Sequence, residues 1–272
     1  MPTCEARFRA IAADCAVQFE SAIGVFLTSH DPDGPHKARV SLRRMTTAID
    51  AFAPILRHSR AQRLRSRIKR QFRYLGQVRD SDVFLLEHKG SAGHRRRLKT
   101  NRQLRDRIRK RLKRARAERL VRDIADLGRP DTRAFRRSAA ALAARHQPVS
   151  GLAIVILGQA WQDCLDYGDA YAAIPAGRRH DFRKTIKTLR YLDEFLGGYV
   201  PGPGHATFRR ALRLLQDDLG TLNDAAVARV VRDLPRVLQP TEKTGFAEDR
   251  ASRNWADLAG SPTPWQSGRE TG

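Results

Sequence analysis

The sequence predicts an all-α fold made of two related helical bundles facing each other about a pseudo-two-fold axis. Three observations carry this prediction. Apolar residues recur at three- and four-residue steps through nearly the whole chain, the period of a helix with one buried face. No run of alternating apolar and polar residues marks a strand. The sequence also matches itself at a shift of 144 residues.

The elements follow in order. Residues 5–28 set Phe8, Ile11, Cys15, Phe19, Ile23 and Phe26 on one stripe. The run from His30 to Pro35 is a dense turn, with Pro35 placed to open the next helix. That helix, 36–57, carries Ala38, Leu42, Met45, Ile49, Phe52 and Leu56. A third helix over 60–88 places Leu64, Ile68, Leu75, Val78 and Val83 inward. Residues 95–122 are overwhelmingly basic yet keep a narrow seam of Leu98, Leu104, Ile108, Leu112 and Ala115. A shorter helix over 131–146 stops before Pro148. Helices over 151–170, 178–196 and 206–238 follow, broken by Gly197-Gly198 and by the Pro201–Gly204 turn. Residues 5–238 therefore read as one helical domain with halves 5–147 and 148–238, preceded by residues 1–4. The tail, 239–272, is rich in Pro, Thr, Ser and Gly and reads as mobile, with Trp255 and Trp265 able to dock on the body.

The shift of 144 residues pairs His36 with His180, Arg39 with Arg183, Arg43 with Lys187, Arg65 with Arg209 and Lys69 with Arg213. It also lays Leu75-Gly76 on Leu219-Gly220, Asp80 on Asp224 and Val83 on Val227, without gaps. Chance rarely concentrates such matches on His, Arg, Gly and Asp. Gly76 and Gly220 mark a close helix approach, and Asp80 and Asp224 read as acids that orient Arg side chains rather than transfer protons.

Composition supplies the sign of the partner. There are 52 Lys+Arg against 29 Asp+Glu, a formal charge of +23, and 43 of the 52 cations are Arg. Arg meets phosphate or carboxylate oxygens in pairs, which Lys cannot do. A hydrophobic share of 41% excludes wholesale disorder. The charge is not spread evenly: residues 35–122 hold 29 basic and 6 acidic residues. Three cysteines, Cys4, Cys15 and Cys164, form no disulfide framework and no metal spacing. The N-terminus does not read as a secretory signal, and the apolar stretch from Leu152 to Trp161 is too short to span a bilayer. The expectation is a cytoplasmic protein with no membrane partner and no cofactor.

Two helices carry the candidate site. At 100° per residue, His36, Arg39 and Arg43 fall within an arc of about 60°, away from the apolar stripe. Lys37 and Arg44 extend the cationic surface on a further flank. In the second half His180, Arg183 and Lys187 fill the same arc, Arg190 continues it, and Lys184 and Tyr191 flank it. Stacked cations destabilise an isolated helix, so their repetition points to an anion that neutralises them. Arg65, Lys69 and Arg73, with Arg209 and Arg213, extend the basic surface. Arg79 also reaches the anion, although its repeat partner is Asn223.

These motifs, His36-x-x-Arg39-x-x-x-Arg43-Arg44, His180 to Tyr191, and the paired Leu-Gly-x-Val/Leu-x-Asp segments, resemble the CHAD domain, the conserved histidine α-helical domain. The resemblance covers roughly residues 5–238. It implies two pseudo-two-fold related four-helix bundles with a basic groove or pore between them. It further implies binding of inorganic polyphosphate without catalysis; an assembly role at polyphosphate granules, to which the protein brings partners through the tail holding Trp255 and Trp265, is a separate expectation. Some relatives are fused to a CYTH-type triphosphatase; no ExExK strand is present, so this chain resembles a stand-alone member. The implied ligands are His36, Arg39, Arg43, Arg44, His180, Arg183, Lys184, Lys187 and Arg190. Thr46 and Thr47 sit where relatives often carry a base, and the second half lacks a double Arg, which makes the site unequal between halves.

Two other functions fit the charge. Binding to a DNA or RNA backbone is one, with the 95–122 helix lying along a duplex; the 7% aromatic content gives little stacking surface. A metal-dependent phosphohydrolase using His180 and Asp181 is the other, although no further ligands of a metal site are evident, and no metal is expected. Reversing Arg105 and Arg109 is expected to affect polyphosphate binding less than reversing Arg43 and Lys187.

Overall fold

The structure is a computed structural model and describes residues 1–87, 89–90, 93–112, 114–200, 202, 204–231 and 242–265. Ten α-helices and no strand are found among the described residues. The chain divides into two compact units, Pro2–Gln147 and Pro148–Gly272, the second also counting Met1.

In the first unit the opening stripe forms α1 (Cys4–Thr28). Thr3 caps it, its hydroxyl accepting from the Ala6 N–H at 3.1 Å, which satisfies one of the free donors at a helix start. α2 (Asp33–Ala51) follows the turn, in which Asp31 Oδ1 accepts from the Asp33 N–H at 2.8 Å. α2 is shorter than the expected 36–57. Pro54 has no N–H to continue the ladder, and Ala53–Ile55 tightens into a 3-10 turn. α3 (His58–Glu87) is the longest helix. Where one helix is expected over 95–122, two are found, α4 (His94–Leu112) and α5 (Arg114–Gly128). α6 (Ala139–His146), capped by Ser138, starts later than expected because 131–137 runs beside the end of α2 instead. There Arg57 donates to Ala134 at 2.7 Å and Arg136 to Ile55 at 2.9 Å.

α1 packs on α2 and α5, and α3 packs on α2 and α4. Phe8, Phe19, Phe26 and Phe52 are fully buried, each worth roughly 1.5–3 kcal/mol by area. α1 is long and apolar enough to cross a membrane, but its apolar stripe forms this core. Between α3 and α4 lies a buried polar lock. Arg105 donates to Asp82 at 2.7 Å and to Asn101 at 3.2 Å, and Asn101 donates to Asp82 at 2.8 Å. Arg105 is 1% exposed, so the pair Arg105/Arg109 is not the surface control that the sequence suggests.

The second unit repeats the order with α7 (Val149–Leu165), α8 (Ala176–Leu196) and α9 (His205–Val231). Its fourth helix, α10 (Glu242–Ala259), comes from the segment read as a mobile tail. The shift of 144 residues carries α1, α2, α3 and α4 onto α7, α8, α9 and α10. Trp255 is fully buried and Trp265 nearly so. Trp255 sits 5.0 Å from Phe182 and 5.6 Å from Trp161 between ring centroids, and its Nε1 donates to the Gly168 carbonyl at 2.7 Å. Trp265 meets Phe208 edge-on at 5.0 Å. Asp218 of α9 is held by Arg250 at 2.7 Å and by Asn254 at 3.0 Å, which ties α10 to α9. Residues 232–241 and 266–272 of the expected last helix and tail lie outside the described residues.

Candidate functional site

In the first unit the basic arc of α2 meets α3. Arg39 donates from Nη1 to the Phe72 carbonyl at 3.1 Å, and its guanidinium carbon lies 4.1 Å from the centroid of the Phe72 ring. Arg43 lies over the same ring at 5.3 Å. Gly76, one turn beyond Phe72, makes this possible: a Cβ there would collide with Arg39 Nη1. The glycine predicted to mark close helix approach admits a guanidinium rather than a backbone.

Arg39 is held below the usual arginine range, first by burial and then by Arg43 and Arg79, with Asp80 partly offsetting them. It remains a cation, but one whose charge is under-compensated. Asp33 joins the same neighbourhood: its carboxyl is held low chiefly by Lys37, at 2.9 Å, with smaller contributions from His36 and Arg79. Arg39, Arg43, Arg79 and exposed His36 and Lys37 therefore collect where α2 crosses α3. On α3, Arg65, Lys69, Phe72, Arg73, Gly76 and Arg79 fall within an arc of about 120°. Arg65, Lys69 and Arg73 are exposed, and Arg65 pairs with Asp50 at the end of α2.

Arg44 lies off this face. It turns to Asp14 of α1, 3.4 Å away, and its side chain is 16% exposed. At 100° per residue it stands some 100° from Arg43, so adjacency in sequence separates the two.

The second unit presents a looser version. His180 Nδ1 lies 3.0 Å from Asn223 Oδ1, joining the repeat positions of His36 and Arg79. Arg183 and Lys187 are half-buried on α8, and Gln216 stands at the place equivalent to Phe72. A Cβ at Gly220 would meet nothing. Lys184 pairs with Asp181 at 2.8 Å, and Arg190 pairs with Glu194 at 2.7 Å while lying over the Tyr191 ring at 5.0 Å. Tyr191 itself is buried. Arg209 does structural work: with His205 it holds Asp193, which is fully buried, at 2.8 and 2.6 Å. Arg213 is exposed on α9. The side chains of Asp224 and Val227 lie outside the described residues.

The residue that sequence reasoning missed is Phe72, the ring on which two site cations rest. Its signal was present, one turn before a repeated glycine, but Gln216 breaks the repeat there. Asp181 is engaged by Lys184, which with the neighbouring His180 and Arg178 keeps its carboxyl low. Among the described residues no three His, Cys, Asp or Glu side chains gather as a metal site. The cysteines are buried, and burial pushes the Cys15 thiol up to about 12.

Comparison with known proteins agrees with this architecture. No curated protein matches the chain. The crystal structure of the CHAD domain from the plant Ricinus communis superposes with a TM-score of 0.69 at 22% identity, over 98% of this chain and 91% of that one. PptA from Streptomyces chartreusis superposes with a TM-score of 0.53 at 15% identity, over 95% of each chain. A family model, the CHAD domain, matches residues 10–233. With most of its length matched in this way, the chain belongs to the CHAD domain family.

Proposed function

We propose that this protein binds inorganic polyphosphate, without chemistry on it, through the basic faces of α2–α3 and α8–α9, and that this binding brings it to polyphosphate granules. The observation that carries the reading is the seating of Arg39 and Arg43 on Phe72, opposite Gly76. Two guanidiniums fixed before any ligand arrives lose little freedom on binding. Their charges repel each other and Arg79, so an anion relieves a cost already present. The cations from His36 to Arg43 span about 10 Å at 1.5 Å per residue, a track for a chain of phosphates rather than a pocket for one. Polyphosphate has no base to read, and the site offers no exposed aromatic platform for one: Phe72 is already covered by two cations. That favours polyphosphate over single-stranded nucleic acid.

The test is charge reversal at the paired positions, Arg43→Glu with Lys187→Glu, followed by isothermal titration with long-chain polyphosphate. Affinity falls at least about tenfold, a loss of about 1.4 kcal/mol, with far-UV helicity intact. Unchanged affinity in the folded variant removes the site.

A further inference from the structure

α3 has a second cationic face, back to back with the first. Arg60, Arg63, Arg67, Arg70 and Tyr74 fall within an arc of about 80° centred opposite Gly76. This face looks toward α5, with Ile49 of α2 in the lining beside it. Because α5 lies mainly against α1, α3 and α5 stand apart and leave a groove. One opening of about 530 Å³ lies toward the end of α5, with Leu64, Leu127 and Ala134 in its lining and Arg63, Arg122 and Arg129 around it. A second of about 180 Å³ continues it past Arg70, Tyr74, Arg116 and Arg119. Arg67 and Asp123, an ion pair, line both openings.

We propose that this groove docks an acidic amphipathic helix of a protein partner. A bare polyanion has no use for the apolar part of this lining. A helix with one apolar and one acidic face places its apolar side chains on half-buried Ala61 and Ala125, above the buried Leu64, Leu127 and Ala134, and its carboxylates against Arg63, Arg70, Arg119 and Arg122. Guanidinium forks suit carboxylates in pairs, and a helix lying in a groove is a recurring mode of recognition. The groove does not depend on the polyphosphate reading, because its cations point away from Arg39 and Arg43. At physiological salt, charges more than about 8 Å apart are largely screened.

The test uses the full chain and a fluorescein-labelled acidic model peptide with Leu at i, i+3, i+4 and i+7 and Glu elsewhere, followed by anisotropy with and without saturating polyphosphate. The peptide binds in both conditions. Arg63→Glu with Arg122→Glu, two exposed arginines, weakens it at least about tenfold while polyphosphate affinity changes less than about twofold. A peptide of the same composition with shuffled leucines also binds at least about tenfold more weakly. The proposal is overturned if the first peptide does not bind or polyphosphate displaces it. It is also overturned if the shuffled peptide binds equally, which makes the groove a general anion track, or if the folded double variant binds like the wild type. Failure of polyphosphate to bind the wild type sinks the proposed function alone, since the peptide is also measured without it.

Discussion

Gly76 and Gly220 occupy equivalent positions and should respond to alanine in opposite directions. In a helix interior, Gly→Ala gains about 1 kcal/mol because the unfolded chain has less freedom to lose. At Gly220 the added methyl meets nothing, so Gly220→Ala stabilises the second unit by about 0.5–1 kcal/mol. At Gly76 the same gain applies, but the methyl evicts the Arg39 guanidinium. That eviction breaks a charged hydrogen bond to the Phe72 carbonyl, worth about 1.5–3 kcal/mol, and a stack on the Phe72 ring worth about 0.5–1 kcal/mol. Arg39 is only half-buried and regains water, which keeps the loss near the lower end. The net is a destabilisation of about 1 kcal/mol, and the two substitutions differ by about 2 kcal/mol. The protein supplies its own reporter: all three tryptophans, Trp161, Trp255 and Trp265, lie in the second unit. Urea unfolding followed by tryptophan fluorescence isolates that unit, while circular dichroism follows both. Gly76→Ala should also weaken polyphosphate binding, since it displaces a site cation. If both substitutions stabilise by the same amount, the account of Gly76 as the space for Arg39 is refuted.

Three further outcomes follow from the same structure. Arg105→Ala strips the buried Asp82 of its charge partner and costs about 3–5 kcal/mol, whereas Arg105→Met with Asp82→Leu recovers most of that loss; urea midpoints distinguish them, and equal losses contradict the lock. Trp255→Ala removes the centre of an aromatic cluster and costs about 3–5 kcal/mol, read as a lowered urea midpoint of Trp161 and Trp265 fluorescence; a change under about 0.5 kcal/mol contradicts a docked α10. Glu5 supplies a pH dependence: burial alone raises its carboxyl, but hydrogen bonds from Arg145 and Arg9 outweigh burial and hold it below the usual range. Its stabilisation is therefore complete above the unfolded value of about 4.3 and is lost as pH falls through the depressed folded value. The stability gap between wild type and Glu5→Gln should stay constant near neutrality and shrink only below about pH 4.3; a gap that persists unchanged at pH 3 contradicts it.

The helices were legible because each buries one face, and that face writes its period into the sequence. The Phe8–Phe26 stripe and the Ala38–Ile49 stripe needed no further information. The tail was not legible: its composition suggests a mobile segment, and what holds it is a partner surface, the Phe182–Trp161–Phe208 cluster, which local sequence cannot display. The division into α4 and α5 was hidden for a similar reason, since the basic run passes from one to the other without Gly or Pro. For the site, helix geometry located His36, Arg39 and Arg43 together. The motif grouped Arg44 with them and the repeat added Arg209, yet Asp14 and Asp193 claim those two cations through contacts that only folding creates. Phe72 stayed invisible because a ring beneath two cations looks, in sequence, like any core phenylalanine.

The central claim is that the preorganised basic faces take polyphosphate in preference to nucleic acid. The direct measurement is displacement of labelled long-chain polyphosphate by single-stranded RNA and duplex DNA at equal phosphate concentration, repeated across a salt series. Neither nucleic acid is expected to displace more than a minor fraction. Binding should weaken steeply with salt, and Arg39→Gln with Arg43→Gln should lower the log–log slope by about 1.4, two contacts at about 0.7 each by analogy with single strands. Displacement of polyphosphate by an equal phosphate concentration of DNA or RNA, or a slope unchanged by losing both arginines, contradicts the claim.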